Sequence, residues 1–144
     1  MPVYADTSFI SALYHPEKMT PTAVACLLSQ REPLLLTEVQ QAETRNSFRL
    51  RAAQKRSSRE EVVRALAQFE RDITEGIFEF VSPDWAGTFR EFERISGILS
   101  EQGGHRFADL LHVASAVTLE ARVFLTFDRR QAKLAKAVGL KVPL

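Results

Sequence analysis

Two apolar runs at opposite ends of the chain each stop on an aspartate, Val3-Tyr4-Ala5-Asp6 and Val123-Phe124-Leu125-Thr126-Phe127-Asp128. Apolar runs this short, bounded by turn-forming or polar residues, read as strands buried on both faces. Leu34-Leu35-Leu36 is a third run of this kind, and Ile77-Phe78-Glu79-Phe80-Val81 alternates as a strand does. The stretches between them space their apolar residues at helical intervals. Strands alternating with helices specify an α/β layer fold on a mainly parallel sheet. In open α/β sheets ligands bind outside the carboxyl ends of the strands, which is where Asp6 and Asp128 fall.

The expected elements follow in order. A strand at about 2–6 leads into a helix from Thr7 to about Tyr14, stopped by His15-Pro16. Thr20-Pro21 opens a second helix with Val24, Leu27 and Leu28 as its apolar stripe. After Leu34-Leu35-Leu36, a helix from about Glu38 carries Glu43 and Asn46; past the Ser57-Ser58 cap signal, another uses Val62, Ala65, Leu66 and Phe69 as its core face. Gly76 closes that helix, and Ser82-Pro83-Asp84 caps one running to about Leu99. A loop at Gln102-Gly103-Gly104 precedes a buried helix with the stripe Phe107, Leu110, Leu111, Ala114 and Val117. A short helix from Arg129 to Val138 and a last strand at Leu140 to Val142 bring the expectation to about five short strands flanked by helices. With 144 residues, 45% of them apolar, the chain is expected to form one domain over 1–144.

Several classes of function lose ground here. No apolar run approaches the about 20 residues that cross a bilayer, and the start of the sequence lacks a basic-then-apolar signal pattern, so a cytoplasmic protein without membrane contact is expected. The lone Cys26 has no second thiol and reads as a small core residue beside Val24 and Leu27. Neither G-x-x-x-x-G-K nor G-x-G-x-x-G occurs, and Ser8 lacks a G-x-S-x-G elbow.

Four acids draw attention. Asp6 and Asp128 end strands, and Glu43 and Asp109 sit near the starts of helices that follow strands or loops. Each has a plainer reading. Asp6 and Asp128 suit helix N-caps, Asp109 suits an ion pair with Arg106 one turn earlier, and Glu43 alone is an ordinary surface glutamate. Thr126, two residues before Asp128, offers a hydroxyl on the same side of its strand. Gathered in one pocket, such carboxylates repel by about 4 kcal/mol per pair at 4 Å and an effective dielectric of about 20, so they need a counter-ion. Oxygen-only ligands select Mg²⁺ or Mn²⁺. Asp109 and His112 share a helix face, but a structural hydrogen bond from His112 to backbone is the expected role.

The net charge of +1 conceals two basic clusters. One gathers Arg45, Arg49, Arg51, Lys55, Arg56, Arg59 and Arg64, and the other Arg122, Arg129, Arg130, Lys133, Lys136 and Lys141. Such clusters neutralise phosphates without reading sequence; their plainer reading is a solvated helix face. Phe89 and Phe92, with Trp85, suggest core or dimer contacts.

Ala5-Asp6-Thr7-Ser8, Ala42-Glu43-Thr44-Arg45-Asn46, Ala108-Asp109-Leu110-Leu111-His112-Val113-Ala114 and Leu125-Thr126-Phe127-Asp128 together span nearly the whole chain. In that order they resemble the PIN-domain ribonucleases, and among them the VapC-type toxins of toxin–antitoxin pairs. The resemblance implies a single PIN-like domain and a metal-dependent endoribonuclease with Asp6, Glu43, Asp109 and Asp128 as catalytic, Mg²⁺- or Mn²⁺-holding residues. It also implies supporting roles for Ser8, Asn46 and Thr126, a homodimer, an RNA substrate and a cognate antitoxin. Arg45, Arg49, Arg106, Arg129 and Arg130 are the expected RNA contacts, and Glu38 is an alternative to Glu43. A haloacid-dehalogenase-type phosphohydrolase is disfavoured because it wants an aspartate where this chain has Ser8. The non-enzymatic alternative is an RNA- or protein-binding module in which the acids only cap helices and form ion pairs.

Overall fold

A computed structural model describes all residues from Met1 to Leu144. It has four strands and seven helices: β1 (Val3–Ala5), α1 (Thr7–Tyr14), α2 (Thr20–Ser29), β2 (Leu34–Leu36), α3 (Glu38–Ala53), α4 (Arg59–Thr74), β3 (Phe78–Phe80), α5 (Trp85–Gly103), α6 (Phe107–Thr118), β4 (Val123–Leu125) and α7 (Arg129–Ala137). Every strand pair described below is parallel, as the alternating pattern requires. The chain forms two compact units, one of Met1–Asp6 with Ser82–Leu144 and the other of Thr7–Val81.

In the first unit β1 pairs with β4 in the register Val3↔Val123, Tyr4↔Phe124 and Ala5↔Leu125. The amide of Asp6 continues the ladder to the Leu125 carbonyl at 3.0 Å. All six strand residues are buried, and the Tyr4 and Phe124 rings stack at 5.4 Å. Helix α6 is buried without a break from Leu110 to Ala116, so its cross-section is core rather than one amphipathic stripe. Tyr4 Oη and His112 Nδ1 are hydrogen-bonded at 2.8 Å, giving His112 a side-chain partner where the sequence suggested backbone.

Three expectations in this unit need correction. The fifth strand reduces to a single bridge, Val123↔Lys141; Pro143, the next residue of matching parity, has no N–H to extend a ladder. Helix α5 runs four residues beyond Leu99 and ends where Gly104 adopts a left-handed φ of 62° and its amide reaches the Ser100 carbonyl at 2.8 Å. Phe107 is 61% exposed. It stands in the first turn of α6, ahead of the buried run. Asp84 occupies the N-cap of α5 as expected, but its side chain makes no cap bond.

In the second unit β2 pairs with β3, Leu34↔Phe78 through Leu36↔Phe80. Helices α3 and α4 open on reciprocal capping boxes, Thr37 with Gln40 and Ser58 with Glu61. Between them lies an aromatic cluster: Tyr14, His15 and Phe69 each pack against Phe48, with Phe78 beyond Phe69. Tyr14 Oη donates to Asp72 Oδ2 at 2.6 Å, and burial together with that carboxylate pushes its phenol well above the ordinary range. The expected core stripe of α2 is not core. Val24 is 39% and Leu28 79% exposed, and Ala23 alone of the helix is buried. The reason is close approach: Thr20 Oγ1 donates to the Ala12 carbonyl at 2.7 Å, which brings the start of α2 against α1, where small Ala23 fits. Cys26 is half-buried accordingly, its thiol pushed up by burial. No helix is long and apolar enough to cross a membrane.

These packing differences make stability measurable at two places. Phe69→Ala should cost about 3–5 kcal/mol in denaturant unfolding, whereas Leu28→Ala should stay within about 0.5 kcal/mol; similar costs would contradict this core. His15 is buried edge-on against Phe48 with its Nε2 unpartnered. Burial, then the Arg51 guanidinium, holds its pKa below the ordinary value. The unfolded chain therefore binds the extra proton first, and stability should be lost as pH falls below about 6.5. His15→Phe should flatten that part of the stability–pH curve, and an unchanged slope would refute the assignment.

Candidate metal centre

The parallel register of β1 and β4 sets their carboxyl ends side by side, and the first polar residues beyond them meet. Thr126 Oγ1 donates to Asp6 Oδ2 at 2.6 Å and accepts the Asp128 amide at 3.0 Å. Asp6 and Thr126 are both buried. One hydroxyl thus fixes a carboxylate on one strand and the backbone leading to a second carboxylate. A charge-assisted O–H···O bond this short is among the stronger side-chain contacts.

Asp128 is the N-cap of α7, in extended backbone, with Oδ1 accepting the amides of Arg130 at 2.8 Å and Gln131 at 3.3 Å. The capping role expected as the plainer reading is therefore real for this residue, and it engages one of the two carboxylate oxygens.

Asp109 lies in the first turn of α6 and is half-buried. Burial first, and then the Asp128 carboxylate, push its carboxyl above the ordinary value; Arg106, His112 and His105 oppose the shift. The ion pair with Arg106 suggested by the sequence does not form within 4.0 Å, and no protein donor bonds to the Asp109 carboxylate. Asp109 and Asp128 are consequently two like charges close enough to raise a proton affinity, the situation in which a carboxylate pair takes up a proton or a cation. No group of three or more Asp, Glu, His or Cys side chains stands at metal-holding spacing.

Gln131 escaped sequence reasoning. Its Nε2 donates to the Asp109 main-chain oxygen at 3.3 Å, and its Oε1 is buried without a partner. The residue ties the first turn of α7 to that of α6, which are the turns carrying or following the acid pair. Its signal was present in the sequence as a cap residue followed three positions later by glutamine, Asp128-x-x-Gln131.

Ser8, Glu43 and Asn46 belong to the second unit. Ser11 Oγ and Ser47 Oγ are hydrogen-bonded at 3.1 Å, joining α1 to α3. One turn earlier on each helix stand Ser8 and Glu43, both half-buried, while Asn46 and Glu38 are exposed. Arg45, one of the expected RNA contacts, joins α3 to α4. It bonds Glu70 and Gln41 and lies over the Phe69 ring at 5.8 Å. Arg49, Arg106, Arg129 and Arg130 are exposed.

Comparison with known proteins places this geometry in a family. The PIN domain profile matches residues 3–137. Among solved structures, the chain is similar to FitAcB from Neisseria gonorrhoeae at 20% identity, with a TM-score of 0.72 and coverage of 97% of this chain and 95% of that one. It is similar to VapC20 of Mycobacterium tuberculosis, described as a sarcin-ricin loop cleaving toxin, at 18% identity, a TM-score of 0.63 and coverage of 96% and 95%. VapBC2 from Rickettsia felis, solved bound to a DNA fragment from its promoter, shares 17% identity at a TM-score of 0.66, covering 99% and 97%. No curated protein matches it by sequence. With the match running from the first residue of β1 to the last of α7, the chain belongs to the PIN-domain family.

Proposed function

We propose that the protein is a divalent-metal-dependent endoribonuclease, the toxin of a VapC-type toxin–antitoxin pair. The observation that carries this reading is the meeting of acids at the β1 and β4 ends, where Thr126 Oγ1 donates to Asp6 Oδ2 and accepts the Asp128 amide; burial and then Asp128 raise the nearby Asp109 carboxyl, and no protein cation stands at ion-pair distance from Asp109 or Asp128. Two neighbouring carboxylates repel, and a hard cation is the counter-charge that an all-oxygen donor set accepts. Mg²⁺ or Mn²⁺ is the ion that such donors would take, with Asp6, Asp109 and Asp128 as the proposed holders; Glu43 is proposed as a further carboxylate from the family resemblance alone. Solved relatives described as a toxin or as VapBC support the same reading, and with it a cognate antitoxin as partner; a homodimer as working form is proposed from the family resemblance alone.

When bound, such an ion supplies positive charge for the leaving oxygen and lowers the pKa of a water. The chain's own residues do the rest. Thr126 fixes the direction of Asp6 through their hydrogen bond. Gln131 and the Asp128 cap hold the first turns of α6 and α7 together. Arg49, Arg106, Arg129 and Arg130 are exposed and supply charge for phosphates on either side of the cut. Catalysis in this scheme is positioning and charge stabilisation around phosphodiester hydrolysis.

A metal-free RNA-binding module is the second reading, favoured by the capping bonds of Asp128. The two separate in one experiment: cleavage of an end-labelled pool of structured RNAs by the antitoxin-free chain in Mg²⁺, Mn²⁺ or EDTA. Asp6→Asn and Asp109→Asn should each lower cleavage at least about 100-fold with the circular dichroism spectrum unchanged. Thr126→Val should lower it by about 10–100-fold, as for groups that orient a ligand. Binding that ignores EDTA, without cuts, would establish the module instead.

A further inference from the structure

Helices α3 and α4 meet at a turn more basic than its own folding requires. Five cations and no acid stand between Arg49 and Arg59 inclusive, namely Arg49, Arg51, Lys55, Arg56 and Arg59. None of them is joined to an acid within 4.0 Å. Arg51 fastens the turn: its carbonyl accepts the amides of Arg56 at 2.9 Å and Ser57 at 3.3 Å, and its Nε donates to Ser57 Oγ at 3.0 Å. The other four cations are exposed. The nearest acids in sequence are Glu60 and Glu61 in the first turn of α4, of which Glu61 completes the capping box with Ser58.

A cation beside the C-terminus of a helix favours its dipole, which accounts for some basic charge after α3 but not for where two of these residues stand. Lys55, just past the α3 C-cap Gln54, is held in the left-handed region at a φ of 56°, a conformation that suits glycine and strains lysine. Arg59 is the first residue of α4, where the positive end of the helix favours an acid and disfavours a cation. Two neighbouring residues thus run against local preference in one exposed turn, and residues kept at such a cost are characteristic of functional surfaces. We propose that the α3–α4 turn is a grip for RNA backbone, in which Lys55, Arg56 and Arg59 neutralise phosphates without reading bases. Charge complementarity names the occupant. An RNA strand presents a row of phosphates, and unpaired cations on long exposed stems meet such a row whatever its sequence. The choice of RNA among polyanions rests on the nuclease reading above.

The test is the salt dependence of RNA binding, read by anisotropy of a fluorescein-labelled RNA hairpin titrated with the full chain in EDTA at several KCl concentrations. Each lost phosphate contact lowers the slope of log Kd against log [KCl] by about 0.7–0.9. Lys55→Gly, Arg56→Gln and Arg59→Gln combined should lower it by about two and weaken binding at least about tenfold at about 0.1 M KCl. Lys55→Gly alone should lower the slope by just under one and yet raise the melting temperature, because glycine takes the left-handed conformation without strain. Arg31→Gln removes the same charge elsewhere: Arg31 lines one hollow with Gly76 and Ile77, past the other end of α4, a helix about 24 Å long. It should leave the slope alone. A combined variant with the parent's slope and affinity would overturn the grip, as would a parent that binds no RNA, or an Arg31→Gln slope that falls as far as that of Lys55→Gly. It would equally be overturned if the combined variant lost binding to labelled polyglutamate and kept its RNA affinity, because the turn would then serve an acidic protein. A parent whose RNA binding depends on the turn but which cuts nothing in Mg²⁺ or Mn²⁺ would keep the grip and remove the nuclease.

Discussion

The in-register parallel pairing of β1 with β4 is the constraint on which the first unit of this molecule depends. Three buried residue pairs, from Val3↔Val123 to Ala5↔Leu125, fix where two strands end. A slip of one residue would turn every side chain to the other face. Because the register holds, Thr126 comes within 2.6 Å of Asp6, and its hydroxyl also accepts the amide of Asp128. The core below and the carboxylates above are thus set by the same ladder.

Asp128 stabilises one element and perturbs a neighbouring acid at the same time. Asp128 stabilises α7 by accepting two amides near the positive end of the helix, a contribution of about 1 kcal/mol for caps of this kind. The same charge destabilises its neighbour, since it helps to lift the Asp109 carboxyl. Asp109 is held in place by its backbone, through Gln131, rather than by any bond to its carboxylate. Positions where burial and a like charge shift a carboxyl are where functional sites concentrate.

Most of the architecture was legible in the sequence because the strands are short apolar runs and the helices carry explicit caps. The Ser57-Ser58 cap signal and the proline after Thr20 each marked a helix start correctly. What periodicity could not supply was which face of a helix meets a neighbour. Val24 and Leu28 have helical spacing but lie on the open side of α2, and Phe107 continues the apolar stripe of α6 past the point where the core ends. Side-chain partners were equally out of reach: Arg45 bonds Glu70, twenty-five residues away. Asp128 fills the N-cap that its plainer reading gave it, and its charge also reaches Asp109, nineteen residues away in the sequence. The last strand failed on Pro143, a signal that was present and outweighed by the apolar residues around it.

If a hard cation completes the Asp109–Asp128 pair, as proposed, thermal unfolding of the full chain against Mn²⁺ concentration registers it without reference to cleavage. A ligand that binds only the folded state raises its stability by RT ln(1 + [L]/Kd), so the melting temperature of the parent should climb with Mn²⁺. Asp109→Asn removes the repulsion, and should melt higher than the parent in EDTA and no longer respond to the metal. A parent indifferent to millimolar Mn²⁺, or an Asn variant that responds as the parent does, would contradict the account.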